Sequence, residues 1–264
     1  LSIRFWESIS TPVLNFREIY SNFAYIDSHG GSGKVLLDGK QTDGSPLIAA
    51  TQLKSFPCHI TEINEESYRR LEESCKGISH VHPQRGDCNV LVPQILKSID
   101  SWKFCLCFVD PDGFVYYNKG EKLMQLTSQT IDCIANSKEP DGPKTELLLN
   151  FQISSILRVK GFPDSRPDDE RTPLMEEDIT ALYGCEHWKT LGDRRELLDH
   201  FIDERLRPYE FKGSFLVEDN GHPLYYLIYA THNRTGAKIM SDVMRKEYGQ
   251  MLLREYPPTR YYFD

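Results

Sequence analysis

The size and charge of the chain limit what it can be. It has 264 residues, of which 39% are hydrophobic and 27% are charged, and its formal net charge is -8. This composition is typical of one large α/β domain, or of one domain with an appendage, and it excludes a disordered chain. The acidic balance argues against a generally basic surface that coats nucleic acid, but it leaves a local basic patch open.

The cysteines and the apolar runs indicate the compartment. The chain has 7 cysteines and no CxxC pair, and Cys105 and Cys107 alternate along a strand-like run. We interpret them as buried, reduced thiols of a cytoplasmic protein. No stretch approaches the ~20 apolar residues that a membrane helix needs, so we expect no membrane partner. The chain starts without Met and without a signal-peptide pattern, so its true N-terminus is expected to be missing or processed.

Strands and helices alternate in the first hundred residues. After a lead-in at 1–22, the apolar run Phe23–Asp27 predicts a first strand, and a glycine-rich turn follows. The polar segment 34–42 is expected to be an extended loop, and 47–54 a helix with Ser45 as its cap. The periodicity then predicts a strand at 58–63, a helix at 64–75, a strand at 78–81 and an amphipathic helix at 91–99.

The next segments complete the pattern of a doubly wound sheet. Phe104–Val109 reads F-C-L-C-F-V, a continuous apolar run typical of a central parallel strand that is buried on both faces. A helical crossover is expected at 122–135, and Thr145–Phe151 is the fifth strand. This alternation predicts an α/β fold of the Rossmann-like kind, with helices on both faces of a mostly parallel sheet.

The sequence changes character after Phe151. Prolines and charges crowd 161–172, so we expect an irregular insertion at 157–191. Beyond it, the periodicity predicts a helix at 193–206, strands at 215–218 and 224–230, and a helix at 239–253. Asn220-Gly221 between the two strands is a hairpin signal, which brings the sheet to seven strands. The chain thus divides into a lead-in (1–22), a cofactor-binding core (23–156), the insertion (157–191) and a C-terminal part that completes the sheet (192–264).

The turn after the first strand reads D-S-H-G-G-S-G from Asp27. Glycine lets the chain turn sharply and lets a cofactor approach main-chain N–H groups; an ordinary β–α turn is the alternative. A phosphate-binding P-loop fits less well, because Ser28 stands where its first glycine belongs and Val35 replaces its magnesium-binding Ser or Thr. The predicted cofactor contacts in this turn are Asp27, His29, Gly30, Gly31 and Gly33.

Three acids follow the turn in an informative order. Glu62 ends the second strand, where a carboxylate can accept hydrogen bonds from both ribose hydroxyls. Asp87, in G-D-C-N, can accept from an adenine amine, while the N–H of Cys88 can serve a ring nitrogen. Simple helix caps or turn acids are the alternative. The order of strand, glycine turn, acid, acid and acid favours S-adenosylmethionine as the cofactor.

The third acid begins Asp110-Pro111-Asp112-Gly113, which resembles the D-P-P-Y signature of enzymes that methylate exocyclic base amines. In that signature, the acid and the proline carbonyl accept hydrogen bonds from the amine, and an aromatic residue stacks on the base. We therefore predict Asp110 and Pro111 as catalytic, with Tyr116 or Phe114 as the stacking surface. A structural turn acid is the alternative. The histidines lack the spacing of a metal site, so we expect no metal.

A set of motifs resembles the three-Cys-motif partner protein family. The motifs are Y-I-D-x-x-x-G-x-G, H-I-T-E-I-N, R-G-D-C-N, F-V-D-P-D-G, L-L-L-N-F, P-L-Y-Y-L-I-Y-A-T-H and K-I-M-S-D-V-M. They extend from about Tyr25 to about Met244. The resemblance implies a methyltransferase-like fold and a partner protein that carries three cysteines. The chain departs from the family at its glycine turn, where S-H-G-G-S-G replaces the usual F-A-G-P-G.

Two hypotheses follow. The first is an S-adenosylmethionine-dependent methyltransferase that acts on a nucleobase amine of RNA or DNA. The second is a non-catalytic, partner-binding module that kept the fold, which the incomplete D-P-P-Y and the acidic net charge favour. A metal-dependent nuclease using the acids of 164–177 is a weaker third, because that segment has the composition of a solvated loop.

Overall fold

The computed structural model describes residues 23–37, 39–54, 56–99, 104–118, 121–124, 126–137, 145–165, 171–219 and 222–248. The predicted lead-in and the Asn220-Gly221 turn lie outside these residues, as does the predicted last helix beyond Tyr248. No helix in the described ranges is long and apolar enough to cross a lipid bilayer.

The described strands form one large sheet and two hairpins. In chain order they are β1 (Phe23–Asp27), β2 (Lys34–Leu37), β3 (Lys40–Asp43), β4 (Cys58–Glu62), β5 (Val81–Arg85), β6 (Phe104–Val109), β7 (Val115–Asn118), β8 (Glu121–Met124), β9 (Thr145–Phe151), β10 (Phe211–Asp219) and β11 (His222–Thr231). The large sheet has the order β10-β11-β9-β6-β1-β4-β5. Its strands are parallel except β11, which runs antiparallel to both neighbours. The predicted α/β fold of the Rossmann-like kind, with a seven-stranded, mostly parallel sheet, is confirmed.

Helices cover both faces of this sheet. In chain order the described α-helices are α1 (Ser45–Gln52), α2 (Glu65–Ser74), α3 (Cys88–Ser98), α4 (Ser128–Ala135), α5 (Ile153–Ser165), α6 (Arg171–Tyr183), α7 (Arg194–Arg205) and α8 (Arg234–Tyr248). Apolar side chains of α1, α2 and α8 pack on one face, and those of α3 to α7 pack on the other. Every residue of β1 and of β9 is buried, because the two apolar layers cover both faces of these strands.

The strand order creates a crevice between β1 and β6. The chain leaves β1 toward the face that carries α1, and it leaves β6 toward the face that carries α4. The two connections therefore separate above the carboxyl ends of these neighbouring strands. In open α/β sheets such a switch point is where ligands bind.

Two segments differ from the sequence-based expectation because they form hairpins. Residues 34–42, expected as a loop, form the antiparallel pair β2–β3, in which Gly39 has φ +73° at the turn. The helix expected at 122–135 begins only at Ser128, after the pair β7–β8. Thr127 starts this helix, because its hydroxyl accepts a hydrogen bond from the N–H of Thr130 at 3.3 Å.

Other corrections concern helix and strand ends. The segment expected to be irregular contains α5 and α6, whose buried side chains include Ile156 and Ile179. The third strand lies at Val81–Arg85 rather than 78–81, and it includes Pro83. A proline is tolerated there because β5 is at the edge of the sheet. Helix α8 begins at Arg234 instead of 239, after Asn233, whose side chain accepts from the backbone N–H groups of the first turn.

Candidate functional site

A cleft of about 220 Å³ lies in the crevice between β1 and β6. The turn after β1 lines it with His29, Gly31 and Gly33, and β6 contributes Phe108 and Asp110. The start of α1 and the hairpin β2–β3 form the remaining wall. The structure therefore brings the predicted glycine turn and the predicted catalytic acid together at the switch point of the sheet.

Asp27 anchors the glycine turn from below. It is fully buried, and its carboxylate accepts hydrogen bonds from the Ser45 hydroxyl at 2.7 Å, the Tyr25 hydroxyl at 3.3 Å and the His29 N–H at 3.2 Å. Burial raises the pKa of Asp27 to about 7, and the hydrogen bonds from Ser45 and His29 oppose this rise. Ser45, the expected cap of α1, binds Asp27 instead, and Gly44 is the residue that precedes the helix. A contact between Asp27 and a cofactor stays a prediction.

The glycines of the turn fit tightly against β4 and α1. A Cβ on Gly30 would overlap the Cγ2 of Ile60, so no larger residue fits without a shift of the turn. Gly31 has φ +58°, which directs its N–H toward β4. The N–H of Gly44 donates to the carbonyl of Gly33 at 2.8 Å and closes the base of the hairpin β2–β3.

Glu62 binds this turn directly. One carboxylate oxygen accepts from the N–H of Gly31 at 2.7 Å, and the other accepts from the N–H of Asn64 at 2.7 Å. Burial raises the pKa of Glu62, and these backbone hydrogen bonds oppose the rise. The expected proximity of Glu62 to the glycine turn is therefore present. Each carboxylate oxygen has two lone pairs, so the group retains capacity for further hydroxyl donors.

Asp87 and Cys88 begin helix α3 on the far side of the crevice. Asp87 caps the helix by accepting from the N–H of Asn89 at 2.8 Å, as the helix-cap alternative expected. The Nε2 of His29 lies 3.6 Å from the Sγ of Cys88, and its Nδ1 lies 2.7 Å from the Ser28 hydroxyl. Burial raises the pKa of the Cys88 thiol, which keeps it neutral. The imidazole of His29 therefore bridges the glycine turn and α3.

Asp110 pairs with a residue that the sequence analysis did not single out. The Nδ2 of Asn150 donates to the Oδ1 of Asp110 at 2.5 Å. The two residues are adjacent because β6 and β9 are parallel neighbours that pair Val109 with Leu149. Burial raises the pKa of Asp110, and the Asn150 hydrogen bond opposes the rise. The signal for Asn150 was present, since it is the polar residue near the carboxyl end of the otherwise apolar run L-L-L-N-F.

The predicted stacking surface is partly wrong. Phe114 is 1% exposed, and its ring packs 5.8 Å from that of Phe151 in the core, so it cannot stack on a substrate base. Tyr116 lies in β7, but its side chain is outside the described part of the structure. Pro111 is buried beside Asp110. The roles of Pro111 and Tyr116 stay predictions.

Metal ligands do not cluster in the part of the chain that the structure describes. No group of three or more His, Cys, Asp or Glu side chains there could hold a metal ion. The acids of 164–177 that the nuclease reading used lie partly outside the described residues. That reading therefore has no metal site among the described residues to support it.

No protein-family model matches this chain, and no curated protein matches it. Its fold is similar to that of protein LPL1258 from Legionella pneumophila str. Philadelphia 1, described under the family model DUF519. That protein is 12% identical, with a TM-score of 0.56, and the match covers 92% of this chain and 89% of the other. At this identity the similarity concerns the fold alone.

Structures with lower TM-scores include one named methyltransferase and one protein in complex with AdoMet. Precorrin-6y C5,15-methyltransferase from Geobacter metallireducens GS-15 has a TM-score of 0.39 and 11% identity, over 84% of this chain and 87% of that one. TYW2 from M. jannaschii, in complex with AdoMet, has a TM-score of 0.37 and 12% identity, over 80% of this chain and 68% of that one.

Proposed function

We propose that this chain is an S-adenosylmethionine-dependent methyltransferase that acts on an exocyclic amine of a nucleobase in RNA or DNA. One observation carries the proposal. The glycine turn, bound by Glu62, and the acid Asp110 face the same cleft at the switch point between β1 and β6. A cofactor in this cleft would have backbone N–H groups on one side and an acceptor for a substrate amine on the other.

Residues that line the cleft, together with Glu62, Asp87 and Cys88 beside the glycine turn, would hold such a cofactor in named roles. The turn from His29 to Gly33 would hold the methionine end, and Glu62 would accept the ribose hydroxyls with its remaining lone pairs. Asp87 and the N–H of Cys88 would lie beside the adenine. The cleft of about 220 Å³ is smaller than the roughly 300–1,000 Å³ of most small-molecule pockets. We expect the His29 imidazole to rotate away from Cys88 and join the two halves of the site.

Asp110 would align the substrate. When bound, the cofactor supplies an electrophilic methyl group on its sulfonium. The carboxylate of Asp110 would accept an N–H of the target amine and so keep the nitrogen lone pair in line with that methyl group. Positioning of this kind lowers a methyl-transfer barrier without acid–base work.

The resemblance to the three-Cys-motif partner family adds a partner to this proposal. A protein with three cysteines would work with the chain on its substrate. A non-catalytic, partner-binding module is the second candidate. The burial of Phe114, the contact of His29 with Cys88 and the net charge of -8 favour it.

Calorimetry and a transfer assay test the proposal. Glu62→Gln removes a charged acceptor, and a hydrogen bond to a charged group contributes about 1.5–3 kcal/mol. We therefore expect S-adenosylmethionine affinity to fall at least about tenfold. Glu73→Gln is the matched control, because the Glu73 side chain on α2 is 76% exposed. Binding heat that is absent in the wild type, or equal affinity in Glu62→Gln and the control, would contradict the cofactor site.

The transfer assay uses labelled S-adenosylmethionine on total cellular RNA and DNA, with and without the three-cysteine partner. We expect wild type to transfer label and Asp110→Asn to lose turnover by about 100-fold or more, with unchanged cofactor affinity. If wild type binds the cofactor but transfers no label in any mixture, the module reading is correct.

A further inference from the structure

Asn150 is an unusual residue for its position in the sheet. It lies in β9 between the buried neighbours β6 and β11, and its side chain is 7% exposed. The strand T-E-L-L-L-N-F is otherwise apolar at its carboxyl end. Buried amides in such a position need partners for both the nitrogen and the oxygen.

The orientation of this amide is fixed by Asp110. A carboxylate only accepts hydrogen bonds, so the group that faces the Oδ1 of Asp110 at 2.5 Å is the Nδ2 of Asn150. The Oδ1 of Asn150 is buried, and the structure gives it no hydrogen-bond partner. The unsatisfied oxygen therefore belongs to an amide that is hydrogen-bonded to Asp110, and Asp110 lines the cleft. An unsatisfied buried acceptor at a site is completed by water or by a ligand donor.

We propose that the Oδ1 of Asn150, in place of the Pro111 carbonyl, accepts the second N–H of a primary amine whose first N–H is accepted by Asp110. This inference rests on the proposed methyltransferase function and narrows its substrate to an –NH₂ group. A hydroxyl or a ring nitrogen carries at most one such hydrogen, so it would leave one acceptor unsatisfied.

The same geometry limits the product to one methyl group. The nitrogen lone pair forms the N–C bond, the S–C bond of the sulfonium breaks with its electron pair on sulfur, and the surplus proton of the nitrogen leaves to water. The product then keeps a single N–H. A second transfer would place the first methyl group against Asp110 or Asn150, where an acceptor needs a hydrogen.

The experiment measures transfer from labelled S-adenosylmethionine to RNA and DNA oligonucleotides. Each is made with adenine or cytosine and, separately, with the corresponding monomethylated exocyclic amine. We expect wild type to add one methyl group to the unmodified amine and none to the monomethylated one. Asn150→Leu keeps the volume and removes both polar atoms, so kcat should fall by about 100-fold while cofactor affinity stays within twofold. Asn136→Ala, an exposed amide at the end of α4, is the control.

Asn150→Asp gives a readout that a structural role would not change. When protonated, the carboxyl group introduced by this substitution still donates to Asp110 and still has an accepting oxygen, so activity should return as the pH falls. Among the described residues, the acids that interact electrostatically with Asp110 are Asp27 and Asp112. Neither differs between wild type and variant. Recovery of activity at low pH therefore reports the protonation of the residue at position 150.

The outcomes separate this inference from the proposed function. If wild type transfers no label to any oligonucleotide, both are overturned. If wild type is active but Asn150→Leu matches it, or if wild type adds two methyl groups, the inference on Asn150 is wrong and the methyltransferase function stands. Should Asn150→Leu fail to fold by circular dichroism, the pH profile of Asn150→Asp decides, and a profile parallel to that of wild type overturns the inference.

Discussion

The buried carboxyl of Glu146 makes the stability of this protein depend on pH. Glu146 lies near the start of β9 and is 7% exposed. Its Oε1 accepts from the Thr231 hydroxyl at 2.6 Å, and Tyr229 donates to the same carboxyl. The backbone of Gly236 packs closely against this carboxyl, because a Cβ there would lie 2.5 Å from Oε1. Burial raises the pKa of Glu146 from 4.5 to about 7.

The sign and size of the effect follow from proton linkage. The folded protein binds the proton more tightly than the unfolded chain, so this contribution is fully present below about pH 4.5. It is lost as the pH rises to about 7. The rise in the pKa of Glu146 from 4.5 to about 7 corresponds to roughly 3 kcal/mol of the free energy of unfolding. Glu146→Gln cannot ionise and keeps an oxygen for Thr231. The free energy of unfolding of the variant minus that of wild type should therefore increase by about 2–3 kcal/mol between pH 4.5 and pH 8.

Urea denaturation of both proteins across this pH range provides the measurement. Asp27 titrates in the same direction, but it is present in both proteins and cancels in the difference. Glu73→Gln on the exposed face of α2 should stay within about 0.5 kcal/mol of wild type at every pH. A flat difference between Glu146→Gln and wild type would refute the reasoning that burial sets the pKa of Glu146.

Two further predictions concern the glycine turn. Gly30→Ala should lower the free energy of unfolding by about 1–3 kcal/mol in urea, since its Cβ would overlap the side chain of Ile60. Gly161→Ala, which has open space around its Cβ, should not. His29→Ala should leave S-adenosylmethionine affinity within about fivefold in calorimetry, because a neutral hydrogen bond contributes about 1 kcal/mol and the backbone N–H groups remain. A loss of tenfold or more would identify the imidazole as a cofactor contact.

The central strands could be predicted from the sequence because their burial is complete. F-A-Y-I-D, F-C-L-C-F-V and T-E-L-L-L-N-F each contain a run of consecutive apolar residues, which is the pattern of a strand buried on both faces. The hairpin β2–β3 was missed, although the chain reads Asp38-Gly39 at its turn, a strong hairpin signal. The residues that flank this signal alternate weakly and stay mostly exposed, so no apolar face marks the two strands.

Prediction of the site was limited in a different way. A glycine turn and an acid at a strand end are local patterns, so Gly31 and Glu62 could be paired before their 2.7 Å hydrogen bond was known. The pair Asp110–Asn150 joins residues that are 40 positions apart and depends on the register of β6 with β9. Phe114 is buried because its ring packs against Phe151, which is also distant in the sequence. A local sequence pattern therefore predicts neither the Asp110–Asn150 pair nor the burial of Phe114.

Strand β9 carries one buried carboxyl group, Glu146, and one buried amide, Asn150. The two differ in whether the fold supplies their hydrogen-bond partners. Glu146 at the amino end has donors from Thr231 and Tyr229, so the fold itself satisfies it. Asn150 at the carboxyl end has an oxygen without a partner. Unpaired buried atoms occur elsewhere in the described residues too, so burial alone is not the argument. What matters is that Asn150 is bonded to an acid that lines the switch-point cleft. An apolar residue at position 150 would stabilise a fold that binds no ligand there, so the presence of Asn150 favours a ligand that completes the pair.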